Sequence, residues 1–238
     1  MKIFIEDKVE VNNKTKINDE YNINHVINVM RRDVGDFIEI GSNNKSYKAE
    51  IISLSPLEVK ILEEKDSTES NINIDIYQGL PKFDKMELII EKATELGVSN
   101  IYPVEMQRSV VKLDKKSKLK KIERWNKIAE SAAKQSKRDI VPEVKDVIKL
   151  KDIDFNKYDL NIFLDTKEEN NNLEKIYEEI KDLKNISIVI GPEGGLSDEE
   201  REELIKYTKP IKLGKRILRT ETASIVIVSI LQYLFGDI

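Results

Sequence analysis

Short runs of alternating apolar and polar residues characterise the first part of the chain. The runs are KIFIE, DFIEI, YKAEIISL and LEVKIL, and clusters of Asn, Gly, Ser and Pro separate them. A period of two predicts strands with one buried face, so we expect a small antiparallel β-barrel. The run EEKDSTESN at residues 63–71 has no apolar residue and predicts a linker. We therefore predict two domains, residues 1–70 and residues 71–238.

Beyond the linker, predicted strands alternate with predicted helices. The strands are INIDIYQGL, NIYPVE, DLNIFLD and ISIVI. Helical spacing of apolar residues predicts helices between them, on three faces: Met86, Ile89, Ile90, Ala93 and Leu96, ended by Gly97; Leu119, Ile122, Trp125, Ile128, Ala129 and Ala132; and Leu173, Ile176, Tyr177 and Ile180. A last, almost wholly apolar helix is predicted from Thr222 to Leu234 and should be buried in the domain or against another subunit. This order indicates an α/β fold with a mostly parallel sheet, and it places Trp125 in the core.

Composition narrows the possible chemistry. The chain has no cysteine and a single histidine, so disulfides, thiolate zinc sites and cysteine nucleophiles are excluded, and we expect no metal. The N-terminus becomes charged after five residues and does not resemble a signal peptide. No apolar run approaches the roughly 20 residues that cross a bilayer. We expect a soluble cytoplasmic protein with no membrane partner.

Charge is distributed unevenly along the chain. The net charge of −4 argues against a nucleic-acid partner, but an average can conceal a local patch. The segment from Met106 to Arg138 holds twelve basic and three acidic residues, a net charge of +9. Two interpretations stay open from the charge run alone: a solvated helix face or a surface that binds phosphates.

A glycine-containing loop follows the predicted buried strand ISIVI. It reads Gly-Pro-Glu-Gly-Gly-Leu at residues 191–196, and Ser197 with Glu200 predicts a capping box for the next helix. Ligands of open α/β sheets bind at the carboxyl ends of strands, so the loop suits a cofactor. A tight strand-to-helix turn without a ligand is the alternative. The loop matches neither the dinucleotide nor the nucleoside-triphosphate motif.

A second unusual loop, LGKRILRTETA, joins the predicted strand PIKL to the last helix at residues 213–223. Its basic residues, one glutamate and two threonines surround Ile217 and Leu218. This mixture suits a ligand that is partly aromatic and partly charged. The alternative is that Thr220 or Thr222 caps the helix while Arg216 and Arg219 lie in solvent.

The two loops together resemble the C-terminal motifs of the SPOUT methyltransferases, specifically the RsmE family, which methylates N3 of a uridine in small-subunit ribosomal RNA. HVINVMRRDVGDF, KATELGV, PVEMQRSVVK and WNKIAESAAKQSKRDIVP match further signatures of that family in order. The resemblance covers nearly the whole chain. An ordered set of motifs is more specific than any single one.

The resemblance implies a fold, an assembly and a cofactor. The fold is an N-terminal PUA-like β-barrel joined to a SPOUT domain with a C-terminal trefoil knot, and the assembly is a homodimer. The cofactor is S-adenosylmethionine, and the implied substrate is 16S ribosomal RNA of the small ribosomal subunit. Mapped onto this chain, the cofactor would contact Leu164, Gly191, Glu193, Gly194, Leu213, Gly214, Ile217, Leu218, Thr222 and Ala223.

The reaction that the resemblance implies needs groups of two kinds. Negative charge that develops on the uracil requires a cation, for which Arg219 is the candidate. The N3 proton requires an acceptor, for which Glu193 and Glu221 are candidates; a structural role at a helix start is the alternative for each glutamate. In this context the basic segment favours phosphate binding. The candidate RNA contacts are Arg31, Arg32, Arg108, Arg124, Lys134 and Arg138.

Three other functions compete with this one. A SPOUT methyltransferase for another RNA position, such as a ribose 2′-hydroxyl, is disfavoured by the N-terminal signature. A non-catalytic RNA-binding assembly factor would not need the intact glycines and ILRTETA string. A Rossmann oxidoreductase would show its glycine motif after a strand, and none is present.

Overall fold

The computed structural model describes residues 2–82, 84–169, 171, 173–179 and 183–238. Two compact units divide the chain. The first comprises Met1–Glu69 and Ala133–Val141, and the second comprises Ser70–Ala132 and Pro142–Ile238. The first break lies next to the predicted domain boundary. That residues 133–141 join the first unit was not predicted.

The first unit is built on a five-stranded sheet with the order β1-β3-β4-β5-β2. Its strands are β1 (Lys2–Phe4), β2 (Lys14–Lys16), β3 (Phe37–Ser42), β4 (Lys45–Leu54) and β5 (Leu57–Glu64). Alternate residues of β3, β4 and β5 are fully buried, among them Ile40, Ile51 and Ile61, as the period of two predicts. A short helix, α1 (Glu20–Asn24), continues as a π-helical turn over His25–Val29.

The prediction of antiparallel pairing is wrong for one strand. β1 pairs with β3 in parallel, whereas the other pairs of this sheet are antiparallel. Parallel neighbours need a long connection, and β2 with α1 provides it. β2 and α1 were themselves not predicted, because neither has a clear apolar period.

The predicted linker forms ordered polar contacts within the first unit. The Glu69 carboxylate accepts hydrogen bonds from the backbone N–H groups of Asp139 and Ile140, at 2.7 and 3.0 Å, and forms an ion pair with Arg138. The backbone N–H of Thr68 donates to Asp139 Oδ2 at 2.9 Å. Residues 68–69 are therefore held by residues 138–140, although their composition is that of an exposed turn.

A buried ion pair joins the first strand to residues 133–141. Lys2 Nζ donates to Asp139 Oδ1 at 2.7 Å and to the carbonyls of Lys137 and Arg138 at 2.8 and 2.7 Å. The Ser46 hydroxyl also donates to Asp139. Both charged side chains are about 1% exposed. Burial acts to raise the pKa of Asp139, but hydrogen bonds from Lys2, Ser46 and Thr68 hold that pKa below its usual value.

The second unit contains a seven-stranded parallel sheet. The order is β12-β10-β11-β6-β7-β8, and β9 also pairs with β7. The strands are β6 (Asn73–Gly79), β7 (Asn100–Glu105), β8 (Glu143–Val144), β9 (Ile148–Lys149), β10 (Leu160–Leu164), β11 (Asn185–Ile190) and β12 (Lys209–Ile211). The α/β class and the parallel sheet predicted from the sequence are confirmed. The trefoil knot stays a prediction.

Among the described residues, five α-helices accompany this sheet: α2 (Lys85–Glu95), α3 (Lys115–Ser136), α4 (Leu173–Glu179), α5 (Asp198–Ile205) and α6 (Thr220–Phe235). Trp125 is buried, as predicted, but Leu119 is 61% exposed and does not belong to the core. Tyr177 is also exposed, and the predicted Ile180 lies outside the described residues. α6 buries only one face, including Ile227, Val228 and Leu231, while Tyr233 is exposed.

Gly97 ends α2 as predicted. Its φ of +85° lies in the left-handed region, which glycine adopts without a steric cost. Within the described residues, no helix combines the length and the apolar character that crossing a bilayer requires.

The Lys2–Asp139 pair gives a first prediction. Asp139→Asn leaves a buried ammonium group without its counter-charge, so we expect the free energy of unfolding of the first unit to fall by about 3 to 5 kcal/mol. Lys2→Met combined with Asp139→Asn should cost less, because both charges are then absent. Hydrogen exchange of the amides in β1, β3 and β4 measures the change.

Asp66→Asn, on an exposed aspartate, is the matched control. Because the pKa of Asp139 is lowered on folding, its stabilising effect should be complete above the ordinary pKa of 3.8 and be lost as the pH falls below it. A loss below about 1 kcal/mol, the range of exposed ion pairs, would contradict this account.

Candidate cofactor and active site

The first predicted loop, residues 191–196, begins where β11 ends. Gly195 has a φ of +68° and donates its N–H to the Pro192 carbonyl at 2.8 Å, which closes a tight turn. A Cβ at Gly194 would lie 2.9 Å from Cβ of Arg108, a distance that excludes a side chain there. The predicted capping box is confirmed: Ser197 and Glu200 exchange hydrogen bonds at 2.9 and 3.1 Å at the start of α5.

The second predicted loop, residues 213–223, is shorter in the structure: residues 212–219 connect β12 to α6, and residues 220–223 form the first turn of α6. In the sheet, β10 lies between β11 and β12, so the two loops leave strands on either side of it. Gly214 has a φ of +103°, which a side chain would strain. Arg219 is the N-cap residue of α6 and makes no side-chain cap bond. The alternative of a threonine cap is therefore wrong.

Thr220 instead joins the two loops. Its hydroxyl donates to the carbonyl of Gly191, the first residue of the other loop, at 2.7 Å. The same oxygen accepts a hydrogen bond from Nε2 of Gln78 at 2.9 Å. Gln78 is the penultimate residue of β6 and is completely buried. One hydroxyl thus ties the start of α6 to the ends of two strands.

The same network extends into α6. Gln78 Oε1 accepts from the Ser224 hydroxyl at 2.6 Å, and Gln78 Nε2 also donates to the Gly79 carbonyl at 3.0 Å. Ser224 is completely buried. Sequence reasoning missed Gln78 and Ser224. The available signal was a polar residue at the carboxyl end of an apolar strand, and another in the first turns of an apolar helix.

A cavity of about 760 Å³ opens between the two loops. Its size lies in the range typical of ligand pockets. Nine of the ten predicted cofactor residues line it: Leu164, Gly191, Glu193, Gly194, Leu213, Gly214, Ile217, Leu218 and Ala223. Thr222 is exposed and does not line it, so a contact of Thr222 with the cofactor stays a prediction. It follows that the two loops together line one site.

The donor groups of this cavity fit a nucleoside cofactor. Within the described part of the chain, the backbone N–H groups of Leu213, Ile217 and Leu218 donate to no protein acceptor. Apolar side chains of Leu164, Ile190 and Ile211 lie beside them in the lining. Free amides next to apolar walls suit the edge and the faces of a purine. Among the described residues, no group of three or more His, Asp or Glu side chains is arranged to hold a metal ion.

A lysine lies between the two glutamates that were predicted as proton acceptors. Lys85 Nζ is 3.2 Å from a carboxylate oxygen of Glu193 and 3.2 Å from one of Glu221. The backbone N–H of Lys82 also donates to Glu193 Oε1 at 3.0 Å. Lys85 and Glu193 line the cavity, whereas Glu221 does not. The sequence did not single out Lys85, since it is one lysine among many.

These contacts shift the pKa values of Glu193 and Lys85. Burial acts to raise the pKa of Glu193, but hydrogen bonds from the Lys82 and Glu193 backbone and from Lys85 hold that pKa below its usual value. Burial acts to lower the pKa of Lys85, and its two carboxylate partners raise it above its usual value. Glu193 is therefore ionised at neutral pH, which a proton acceptor must be.

The predicted RNA contacts have different surroundings. Arg108 lines the cavity and donates to the Gly194 carbonyl at 3.3 Å. Arg124 is exposed and pairs with Glu87 at 2.7 Å. Lys134 and Arg138 are each 5% exposed within the first unit. A guanidinium or ammonium group buried in this way does not meet a phosphate, so we withdraw these two from the predicted RNA surface.

Arg31 and Arg32 lie after the π-helical turn of the first unit. Arg31 has a φ of +51°, in the left-handed region. Arg32 is 3.8 Å from Asp36 in an exposed ion pair, which is weak. Both arginines are exposed and remain candidates for a phosphate contact.

Comparison with known proteins identifies the family. A model of the RNA methyltransferase domain matches residues 68–232. The ribosomal RNA small subunit methyltransferase E of Bacillus subtilis is 40% identical over 220 residues, which cover 88% of this chain and 86% of that protein. The chain belongs to the ribosomal RNA small subunit methyltransferase E family.

Two solved structures extend this likeness to the fold. A ribosomal RNA small subunit methyltransferase E from Neisseria gonorrhoeae, bound to S-adenosyl methionine, has a TM-score of 0.86 at 28% identity over 99% of this chain and 98% of its own. A putative methyltransferase from Legionella pneumophila, solved with the bound cofactor SAM, has a TM-score of 0.85 at 28% identity over 100% and 98%. The fold of this chain is thus that of the methyltransferase E family.

The hydroxyl that joins the two loops gives a second prediction for this family member. Thr220→Val leaves the Gly191 carbonyl and one N–H of the Gln78 amide without the hydroxyl that now pairs with them. We expect the second unit to lose about 1 to 3 kcal/mol of stability and to bind S-adenosylmethionine more weakly. Thr220→Ser keeps the hydroxyl and should retain both properties. Calorimetry and thermal unfolding measure the two effects.

Ser229→Ala is the matched control, because in the described part of the chain the Ser229 hydroxyl donates only to the Ile225 carbonyl of its own helix. Equal effects of Thr220→Val and Ser229→Ala would show that the link between the loops has no special role.

Proposed function

We propose that this chain transfers a methyl group from S-adenosylmethionine to N3 of a specific uridine in 16S ribosomal RNA. Its family membership makes it an S-adenosylmethionine-dependent rRNA methyltransferase. The assignment to a uridine and to its N3 atom goes beyond family membership. It is supported by one observation: Arg219 and Glu193, one cation and one ionised carboxylate, both line the cavity that the two loops form.

The cofactor would lie between residues 191–196 and residues 213–218. Leu164, Leu213 and Leu218 would enclose the adenine, and the free backbone N–H groups of the second loop would read its edge. S-adenosylmethionine supplies an electrophilic methyl group when it is bound. Gly191 and Gly194 have no side chain, so the backbone of the first loop can approach the bound cofactor closely.

Methylation of N3 requires that the uracil lose its N3 proton. Glu193 would accept that proton, directly or through a water molecule, because its carboxylate is ionised at neutral pH. Arg219, exposed and at the cavity, would stabilise the negative charge on the uracil oxygens. Glu221 does not reach the cavity and would act through Lys85, by holding the ammonium group beside Glu193.

The remaining expectations are part of the same proposal. Residues of the first unit, with Arg31 and Arg32, would contribute to RNA binding as a PUA-like domain. The chain would act as a homodimer in the cytoplasm, where its substrate, the small ribosomal subunit, is assembled. RNA of this kind is recognised largely through shape and unstacked bases.

Transfer of label from S-adenosylmethionine to small subunits that lack the modification tests the proposal. Nucleoside mass spectrometry of the recovered RNA should show 3-methyluridine. Label in a ribose or in another base would contradict the proposed position. Absence of label together with absence of cofactor binding would favour an assembly factor without catalysis.

Arg219 gives a third prediction. Arg219→Gln removes the cation beside the reacting uracil, so kcat should fall by about 100- to 1,000-fold while the affinity for S-adenosylmethionine stays unchanged. Arg219→Lys keeps a positive charge and should recover part of kcat. Single-turnover methyl transfer and calorimetry separate the two quantities. An unchanged kcat in the glutamine variant would remove Arg219 from the mechanism.

A further inference from the structure

The cavity carries much more positive charge than its cofactor needs. Of the residues that the structure describes, eight basic side chains line it, against the two acidic side chains of Asp165 and Glu193. S-adenosylmethionine itself has a net positive charge, since its sulfonium and ammonium groups outnumber its carboxylate. A surplus of cations therefore disfavours the cofactor by electrostatic repulsion, and it indicates a second, anionic ligand.

Three of the eight cations are already neutralised. Lys85 pairs with Glu193 and Glu221, Lys167 with Asp198 at 2.6 Å, and Arg201 with Asp165 at 2.5 Å. The other five have no carboxylate within ion-pair distance in the described ranges: Arg108, Lys212, Lys215, Arg216 and Arg219. Four of these five belong to the single loop of residues 212–219.

Helix α3, which lies in the basic segment of residues 106–138, has fewer unpaired positive charges than its composition suggests. Lys118 pairs with Glu105 at 2.8 Å, Arg124 with Glu87 at 2.7 Å and Lys127 with Glu123 at 2.8 Å. Lys134 is buried. α3 keeps exposed lysines in its first turns, including Lys116 and Lys120, but neither of these two lines the cavity.

We propose that Lys215 and Arg216 bind phosphates of the substrate RNA at the mouth of the cofactor cavity. This inference rests on the proposed function and specifies where its RNA is held. Both side chains are exposed, so phosphate contacts cost them little desolvation. Both residues lie between Gly214 and Arg219 in the sequence. An RNA strand bound by them would therefore pass Arg219, the residue proposed to stabilise the uracil. Positioning of this kind orients a nucleotide for reaction without reading its base.

The salt dependence of RNA binding by the full-length chain tests this. Each phosphate contact contributes roughly 0.7 to 0.9 to the slope of log affinity against log salt concentration. Lys215→Gln combined with Arg216→Gln should therefore reduce the slope for unmodified small subunits by about 1.4 to 1.8. Lys116→Gln combined with Lys120→Gln removes the same charge from exposed positions of α3 and should leave the slope nearly unchanged. Lys215→Arg combined with Arg216→Lys keeps the charge and should keep the slope.

The outcomes are distinct. An unchanged slope in the loop variant, or an equal reduction in the α3 variant, overturns the phosphate site while the proposed function stands. Weaker binding of S-adenosylmethionine by the loop variant with unchanged RNA binding also overturns it. A wild-type chain that binds small subunits with no salt dependence overturns this proposal together with the RNA part of the proposed function. Formation of a methylated nucleoside other than 3-methyluridine overturns the proposed position alone.

Discussion

The hydrogen bonds of Thr220 hold together the site on which the function of this chain depends. The two loops leave β11 and β12, which are separated in the sheet by β10, so neither strand ladder connects them. The Thr220 hydroxyl spans that gap by donating to Gly191 while it accepts from Gln78. Buried polar groups are stabilising only when they are fully paired. The cavity therefore exists in a defined shape because β6 supplies a buried amide at this place.

Among the described residues, the basic side chains of the same region fall into two groups, one paired with carboxylates and one without such partners. Lys85 is neutralised by Glu193 and Glu221 and so connects α2, the first loop and α6. The cations of the second loop have no such partners in the described structure and are available to a ligand. The distinction matters because an exposed cation keeps its affinity for phosphate, whereas a paired one must first lose its carboxylate. The net charge of a segment does not show which of its cations are paired. The segment from Met106 to Arg138, with a net charge of +9, contains several paired or buried cations.

Local patterns in the sequence determined much of the fold. The strand-helix alternation, the Gly97 cap and the Ser197–Glu200 capping box follow from spacing and residue type. The first loop of the cavity could be recognised from its glycines after a strand, and the second from its mixture of basic, polar and apolar residues. Contacts between segments that are distant in the sequence could not be recognised in this way. Nothing in the sequence relates Lys2 to Asp139 or Gln78 to Thr220, and Leu119 has helical spacing although its side chain is exposed. The parallel pairing of β1 with β3 likewise depends on a connection that has no clear apolar period.

A crystal structure of this chain with S-adenosylmethionine tests the central claim most directly. The account predicts that the adenosyl group lies between residues 191–196 and residues 213–218, with the adenine edge on backbone groups of Leu213, Ile217 or Leu218 and with the Thr220 hydroxyl still bonded to Gly191. A cofactor bound elsewhere, or a bound state in which Thr220 has left Gly191 and the loops have separated, would contradict it.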